Sequence, residues 1–189
     1  MLGLCKRLAE VRIMTDGDHT RMTPTRAKVE AETPDATAIQ WRLSRFSELD
    51  GESVYAMLAL RQRVFVVEQQ CAYQDADGLD TAAWHLLGWA GSPAEVIAYA
   101  RIFEPGIRYA EGSIGRIVTA PGVRQRGIGR VLMKEAMRRC AELFPGGVIR
   151  LGAQMRLEKF YEEFGFASVS KPYEEDGILH VEMLGKPSP

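Results

Sequence analysis

Ile39, Trp41 and Leu43 alternate with Gln40, Arg42 and Ser44. This two-residue period predicts a first strand. Ser47-x-x-Asp50 offers a helix start, and from Ser53 to Val67 the residues Val54, Met57, Leu58, Arg61 and Phe65 trace a helix with a wide apolar face. Ala83 to Trp89 and Glu95 to Phe103 are apolar runs either side of a Gly91-Ser92-Pro93 turn, the pattern of an antiparallel hairpin. Ser113 to Thr119 is β-branched enough for another strand. Beyond it Ile128, Val131, Leu132, Ala136, Cys140 and Leu143 recur at steps of three and four, with Arg130, Lys134, Arg138 and Glu142 elsewhere, which predicts an amphipathic helix. Pro145-Gly146-Gly147 stops it. Val148 to Ala153 reads as a strand, and Leu157, Phe160, Tyr161 and Phe164 as a helical stripe ended by Gly165. Phe166–Ser170 and Ile178–Leu184 can pair as a last hairpin around Pro172 to Gly177.

Between the strand ending at Thr119 and the following helix lies Arg124-Gln125-Arg126-Gly127-Ile128-Gly129. The first amides of a helix have no partner inside it, and the dipole places partial positive charge there. Glycines let a ligand approach the backbone, and guanidinium forks suit phosphate oxygens. An ordinary strand-to-helix turn with solvated arginines accounts for the same residues. The spacing is neither the dinucleotide fingerprint nor a P-loop.

Arg-x-x-Gly-x-Gly after such a strand, with Pro121 at the turn, resembles the acyl-coenzyme A pyrophosphate loop of the GCN5-related N-acetyltransferases, the GNAT superfamily. Leu151 to Phe166 resembles the strand, helix and turn that close that family's cofactor site, with Gln154 and Leu157 where the family usually has Asn and Ala. Leu60 to Gly78, Ala98 to Arg101, Ile114-Gly115-Arg116 and Asp176 to Met183 are similar to ElaA-type bacterial acetyltransferases, over roughly Ile39 to Leu184. The resemblance implies a single GNAT-like α/β (α+β) domain over residues 39–189, a mixed, mostly antiparallel sheet with helices on both faces. It implies that acetyl-coenzyme A enters between the Ser113 and Val148 strands. Ile117, Val118 and Thr119 would pair with the pantetheine. Arg124, Gln125, Arg126, Gly127, Ile128 and Gly129 would take the pyrophosphate, and Gln154 would add an amide contact. Tyr161 would touch the cofactor and serve as the acid for the thiolate; from spacing alone it is a core residue. The implied activity is transfer of acetyl to a primary amine by direct attack on the thioester. A non-catalytic acyl-coenzyme A sensor or regulatory module is the alternative.

The chain has 189 residues, 46% apolar and 26% charged, as expected of one globular domain. A net charge of −1 favours neither nucleic acid nor an anionic membrane, and no apolar run is long enough to span a bilayer. Cys5, Cys71 and Cys140 fit neither a disulfide framework nor a zinc site, and free thiols suggest the cytoplasm. Residues 1–38 mix Thr, Asp, Pro and Ala and read as a loosely ordered extension, dispensable or partner-binding. Asp75, Asp77 and Asp80 surround Gly78, but not at calcium-loop spacing, so no metal is expected. The expected partners are a small-molecule or protein amine acceptor and, as an open possibility, a second copy of the chain.

The remaining candidates belong to the acceptor site. Glu68, Tyr73 and Asp75 are placed there by the resemblance alone. Arg61 either snorkels to water or holds an anionic group. Arg101 and Arg116 are charges inside apolar strands, and must pair, reach solvent or face a ligand; with Arg61 they would suit an anionic acceptor. His85, a half-buried histidine or a general base, and His180 are the base candidates, with Glu68 a further catalytic one.

Overall fold

Asp50 sets the first helix. Its carboxylate accepts a hydrogen bond from the Ser53 amide at 2.7 Å and caps α1, Gly51–Arg61. The computed structural model describes residues 39–187; the extension expected over 1–38, and Cys5 in it, lie outside the described residues. The expected helix to Val67 is not uniform: past Arg61 the chain widens into π-helical turns over Gln62–Glu68. Such turns rotate the side chains that follow them, and often lie at functional sites. No helix among the described residues is long and apolar enough to cross a membrane.

The strands are β1 (Gln40–Arg45), β2 (Trp84–Ala90), β3 (Glu95–Phe103), β4 (Gly112–Thr119), β5 (Ile149–Gln154), β6 (Ala167–Ser168), β7 (Tyr173–Glu175) and β8 (Ile178–Gly185). They form one sheet in the order β1-β2-β3-β4-β5-β8-β6, with β7 also on β8. The expected last hairpin is therefore three strands, because the segment thought to be its turn adds β7. All pairings are antiparallel except β4 with β5. Parallel neighbours need a crossover, supplied by α2, Ile128–Leu143. β4 and β5 pair only at Gly112↔Ile149 and Ser113↔Arg150, and beyond these the strands diverge.

The two faces of the sheet are covered differently. Ile128, Leu132, Met133, Ala136, Met137 and Cys140 of α2 bury against Ala98, Ala100 and Ile102 of β3 and Val181 and Met183 of β8. Met133 and Met137 widen the expected stripe. On the opposite face Met57, Leu60 and Val64 bury against Leu87, Tyr99 and Val118. Strand alternation therefore turns His180 and Glu182 of β8 to the face that α1 shares. The short α3, Glu158–Glu162, carries Tyr161 into the α2 core.

Under α1 lies a polar network. Arg61 is fully buried; its Nε donates to Asp75 at 2.8 Å and its Nη1 to Asp80 at 2.7 Å. Arg101, also fully buried, donates to Asp77 at 2.6 Å and Asp80 at 2.8 Å. Arg116 donates to Asp75 at 2.6 Å. These bonds tie the loop from Cys71 to Asp80 onto the sheet. Arg61 thus neither reaches water nor offers a free donor, because both of its candidate roles are displaced by aspartates.

Removing one buried partner strands the other's charge, at a cost of about 3–5 kcal/mol. Arg61→Met should therefore lower the urea unfolding free energy by about 3 kcal/mol or more; a loss under ~1 kcal/mol would show the network to be structurally idle. Burial pushes the Asp77 and Asp80 carboxyls up, but Arg101, the Leu79 amide and Arg116 at Asp77, and Arg61 and Arg101 at Asp80, outweigh it and hold both below the usual range. Groups with depressed folded values stabilise above the unfolded carboxyl pKa of ~3.9 and lose that contribution as pH falls through the folded values. The urea midpoint should hold down to about pH 5 and fall steeply below about pH 4.

Candidate active site

The divergence of β4 and β5 opens the molecule. Arg101 pairs with Gly115 but Tyr99 pairs with Val118, so β4 carries an extra residue, a bulge. Arg116 sits in it with φ of 50°, in the left-handed region that a residue bearing a Cβ seldom adopts. The bulge aims Arg116 at Asp75. Past Ser113 the β5-facing edge of β4, including Ile117, Val118 and Thr119, has no strand partner among the described residues. Its backbone groups are available to an extended ligand.

At the far end of β4 the Arg124–Gly129 loop enters α2. Gly127 occupies the N-cap at φ of 78° and contributes no side-chain cap, so the first amides of α2 point outward with the positive end of the dipole. Thr119, Arg124, Gln125, Gly127, Ile128 and Gly129 line a hollow of about 250 Å³ there. Arg126 is exposed and lines neither this hollow nor the larger cleft beside it. Sequence alone does not separate it from Arg124, because only the loop's path does so.

The cleft, about 900 Å³, runs from this hollow between the diverging strands to the face shared with α1. At the loop end it is lined by Ile117, Val118, Thr119, Arg124, Gly129, Gln154 and Tyr161. Glu68, at the end of the π-helical turns, grips Arg124 with both oxygens across the cleft, Nη2 to Oε2 at 3.0 Å. The bond from Arg124 holds its carboxyl below the usual range, and the ion pair engages it before any base role. Gln154 brings an amide to the cleft, donating to Gln69 at 3.3 Å and accepting from Arg156 at 2.8 Å. Tyr161 packs edge-on against Phe160 and is 6% exposed; burial pushes its phenol up to about 12, so it keeps its proton at neutral pH.

At the other end the lining includes Tyr73, Asp77, Phe103, Tyr109, Arg116, Tyr173, His180 and Glu182. Tyr73 donates to Asp75 at 3.1 Å. The His180 Nδ1 lies 2.8 Å from the Ile178 carbonyl oxygen. A carbonyl only accepts, so Nδ1 donates, and the neutral ring carries its lone pair on Nε2.

His85 lies apart from both ends. It is fully buried and lines no part of the cleft. Its Nε2 faces the Asp80 carbonyl oxygen at 2.9 Å and so donates, leaving Nδ1 to accept from the Tyr99 hydroxyl at 2.8 Å. Both nitrogens are engaged, and burial holds the ring neutral. Its expected half-burial and free lone pair are replaced by a structural role. Arg101 likewise lines no part of the cleft, and Arg116, which does, gives its Nε to Asp75. With Arg61 they are balanced by Asp75, Asp77 and Asp80, so the expected attraction for an anionic acceptor is neutralised. Tyr109, Tyr173 and Glu182 were not singled out from the sequence. Glu182 and His180 carried a usable signal, polar residues at alternate positions of a strand whose other positions are apolar.

Known proteins resemble this chain in sequence and in fold. Residues 64–185 match the family model for the acetyltransferase (GNAT) domain. The Escherichia coli protein ElaA is 42% identical over 147 residues, covering 77% of this chain and 95% of its own. Its crystal structure superposes with a TM-score of 0.73 over 78% of this chain and 99% of that one. An acyl-CoA N-acyltransferase from Pseudomonas aeruginosa superposes with a TM-score of 0.74 at 35% identity, covering 78% and 99%. A family model over residues 64–185 and a relative 42% identical over 77% of the chain make this protein a member of the GNAT acetyltransferase family, of the ElaA type, and an acyltransferase.

Proposed function

We propose that the enzyme takes acetyl-coenzyme A as donor and a primary amine as acceptor. The observation that carries this reading is one continuous cleft joining a phosphate-suited helix terminus, an unpaired strand edge, a buried phenol and an imidazole with its lone pair free. The residues present fit such a donor. The hollow at Gly127 has uncapped amides and Arg124 for a pyrophosphate. The edge of β4 at Ile117 to Thr119 has backbone groups for an amide-bearing arm. Bound there, the donor supplies a thioester carbonyl carbon as electrophile and a thiolate as leaving group.

The chain's own groups divide the proton traffic. His180 Nε2 accepts the proton that the acceptor nitrogen must shed before it can attack. Tyr161 holds a proton on its phenol oxygen for the departing sulfur as the C–S bond breaks. Its retention of that proton follows from burial. An unpaired amide on the splayed edge of β4 suits the charge that develops on the carbonyl oxygen. Glu68 must yield Arg124 when phosphate arrives, since one guanidinium cannot serve both in full.

Calorimetric titration with acetyl-coenzyme A should give micromolar binding competed by coenzyme A, followed by thiol release with an amine. Absence of binding to the folded protein would overturn the donor. Tyr161→Phe should lower kcat by about 100-fold or more with little change in donor Kd; full activity would remove the phenol from the reaction. With the phenol pushed up to about 12, its ionisation should not lower wild-type kcat below about pH 10. At Gly127 an added Cβ meets no protein atom within 4 Å, so a side chain there enters the space assigned to the ligand, besides straining a backbone at φ of +78°. Gly127→Val, checked for retained fold by circular dichroism, should weaken coenzyme A binding at least about tenfold. Unchanged affinity would put the phosphates elsewhere.

A further inference from the structure

Glu182 stands on β8 two residues from His180, on the same face and at the same end of the cleft. Its Oε1 accepts from Tyr173 at 2.9 Å and Tyr109 at 3.5 Å. Its Oε2 is shielded from solvent and has no hydrogen-bond partner among the described residues. Arg150 Nη1 forms an ion pair with that oxygen at 3.6 Å, while its Nε and Nη2 are given to Glu111 at 3.1 and 2.8 Å. One guanidinium shared by Glu111 and Glu182 leaves a negative charge over at a carboxylate taken partly out of water, and a ligand cation would offset it.

The surroundings leave room for one. Opposite Glu182 in the β5–β8 register is Gly152, whose exposed backbone floors the cleft. A Cβ at that position would stand 3.2 Å from the Tyr173 hydroxyl oxygen and 3.6 Å from Glu182 Oε1. Glycine therefore keeps open the approach to the carboxylate, and phenol rings beside it suit a cation. The charge left over at this end has the same sign. Arg101 and Arg116 are held by aspartates, whereas Glu175, Asp176 and Glu182 line the cleft with Arg108 as the one guanidinium there that no carboxylate holds among the described residues. The opposite end carries the cations Arg124 and Arg156, as a polyanionic donor requires.

We propose that the acceptor is a dication of the diamine or polyamine class, with its attacking nitrogen at His180 and a second, protonated nitrogen held by Glu182 between Tyr109 and Tyr173. Alternate residues of a strand lie ~7 Å apart, the span of a short alkyl diamine. This rests on the transfer reading above for the attacking nitrogen, whereas the cation site stands on Glu182 and Gly152 alone.

The test compares putrescine with butylamine, of equal carbon count but one charge fewer, in thiol release and in calorimetric binding to the protein saturated with coenzyme A. Putrescine should exceed butylamine in kcat/KM at least about tenfold, with the difference in KM. Glu182→Gln should bring that ratio near one, and Glu182→Asp, which keeps the charge, should restore part of it. Thermal unfolding checks that each variant folds. Equal use of the two amines, better use of 4-aminobutyrate, or a ratio unchanged in Glu182→Gln would overturn the proposal. Putrescine binding that depends on Glu182 without thiol release would keep the cation site and remove the transfer reading. Thiol release from amines with no cation preference would do the reverse.

Discussion

Three guanidiniums and three carboxylates, packed among α1, β3, β4 and the loop before β2, fix the walls of the cleft. Arg61 and Asp75 are almost wholly out of water, and Arg101 is buried with them. Charges at that depth persist only if each is met by an opposite charge in good geometry. The loop from Cys71 to Asp80 can therefore adopt few arrangements that leave no charge stranded. That loop presents Tyr73, Gln74 and Asp77 to the cleft. Rigidity at one wall is thus obtained from ion pairing rather than from apolar packing, which small polar loop residues could not supply.

The same network explains the bulge in β4. Arg116 needs the left-handed conformation to reach Asp75, and the extra residue lets β4 separate from its regular pairing just where β5 turns away. One backbone irregularity so serves two ends. It completes the ion network on the α1 face, and it lies beside the stretch of strand edge that a ligand can use. Strain of that kind persists only where surrounding bonds over-determine it, and the Arg116–Asp75 contact does so.

Charge along the cleft is polarised. Arg124 and Arg156 lie by the helix terminus, and Glu175, Asp176 and Glu182 lie beyond the splay. Glu68 closes the basic end by gripping Arg124, so the arrangement is balanced overall and polar locally. A net charge of −1 for the whole chain conceals this separation. Composition excludes a global field, but only placement reveals a local one.

The sequence by itself determined the elements that depend on neighbours close along the chain. The strand, loop and α2, the β2–β3 hairpin and the Tyr161 stripe follow from periodicity and turn residues, and the glycine turn into α2 follows from a short motif. Tertiary structure decided whatever depends on partners distant in sequence. Arg116 meets Asp75 across 41 residues and Arg101 meets Asp77 across 24, so of the roles that the sequence leaves open for these arginines, pairing is the one the fold selects. His85 and His180 have the same side chain, yet burial between Tyr99 and Asp80 engages both nitrogens of one, while the Ile178 carbonyl leaves a lone pair on the other. The change to π-helical turns after Arg61 and the pairing of β7 were illegible for a related reason: apolar spacing records which face is buried, not how many residues a turn holds or which strand edge is open.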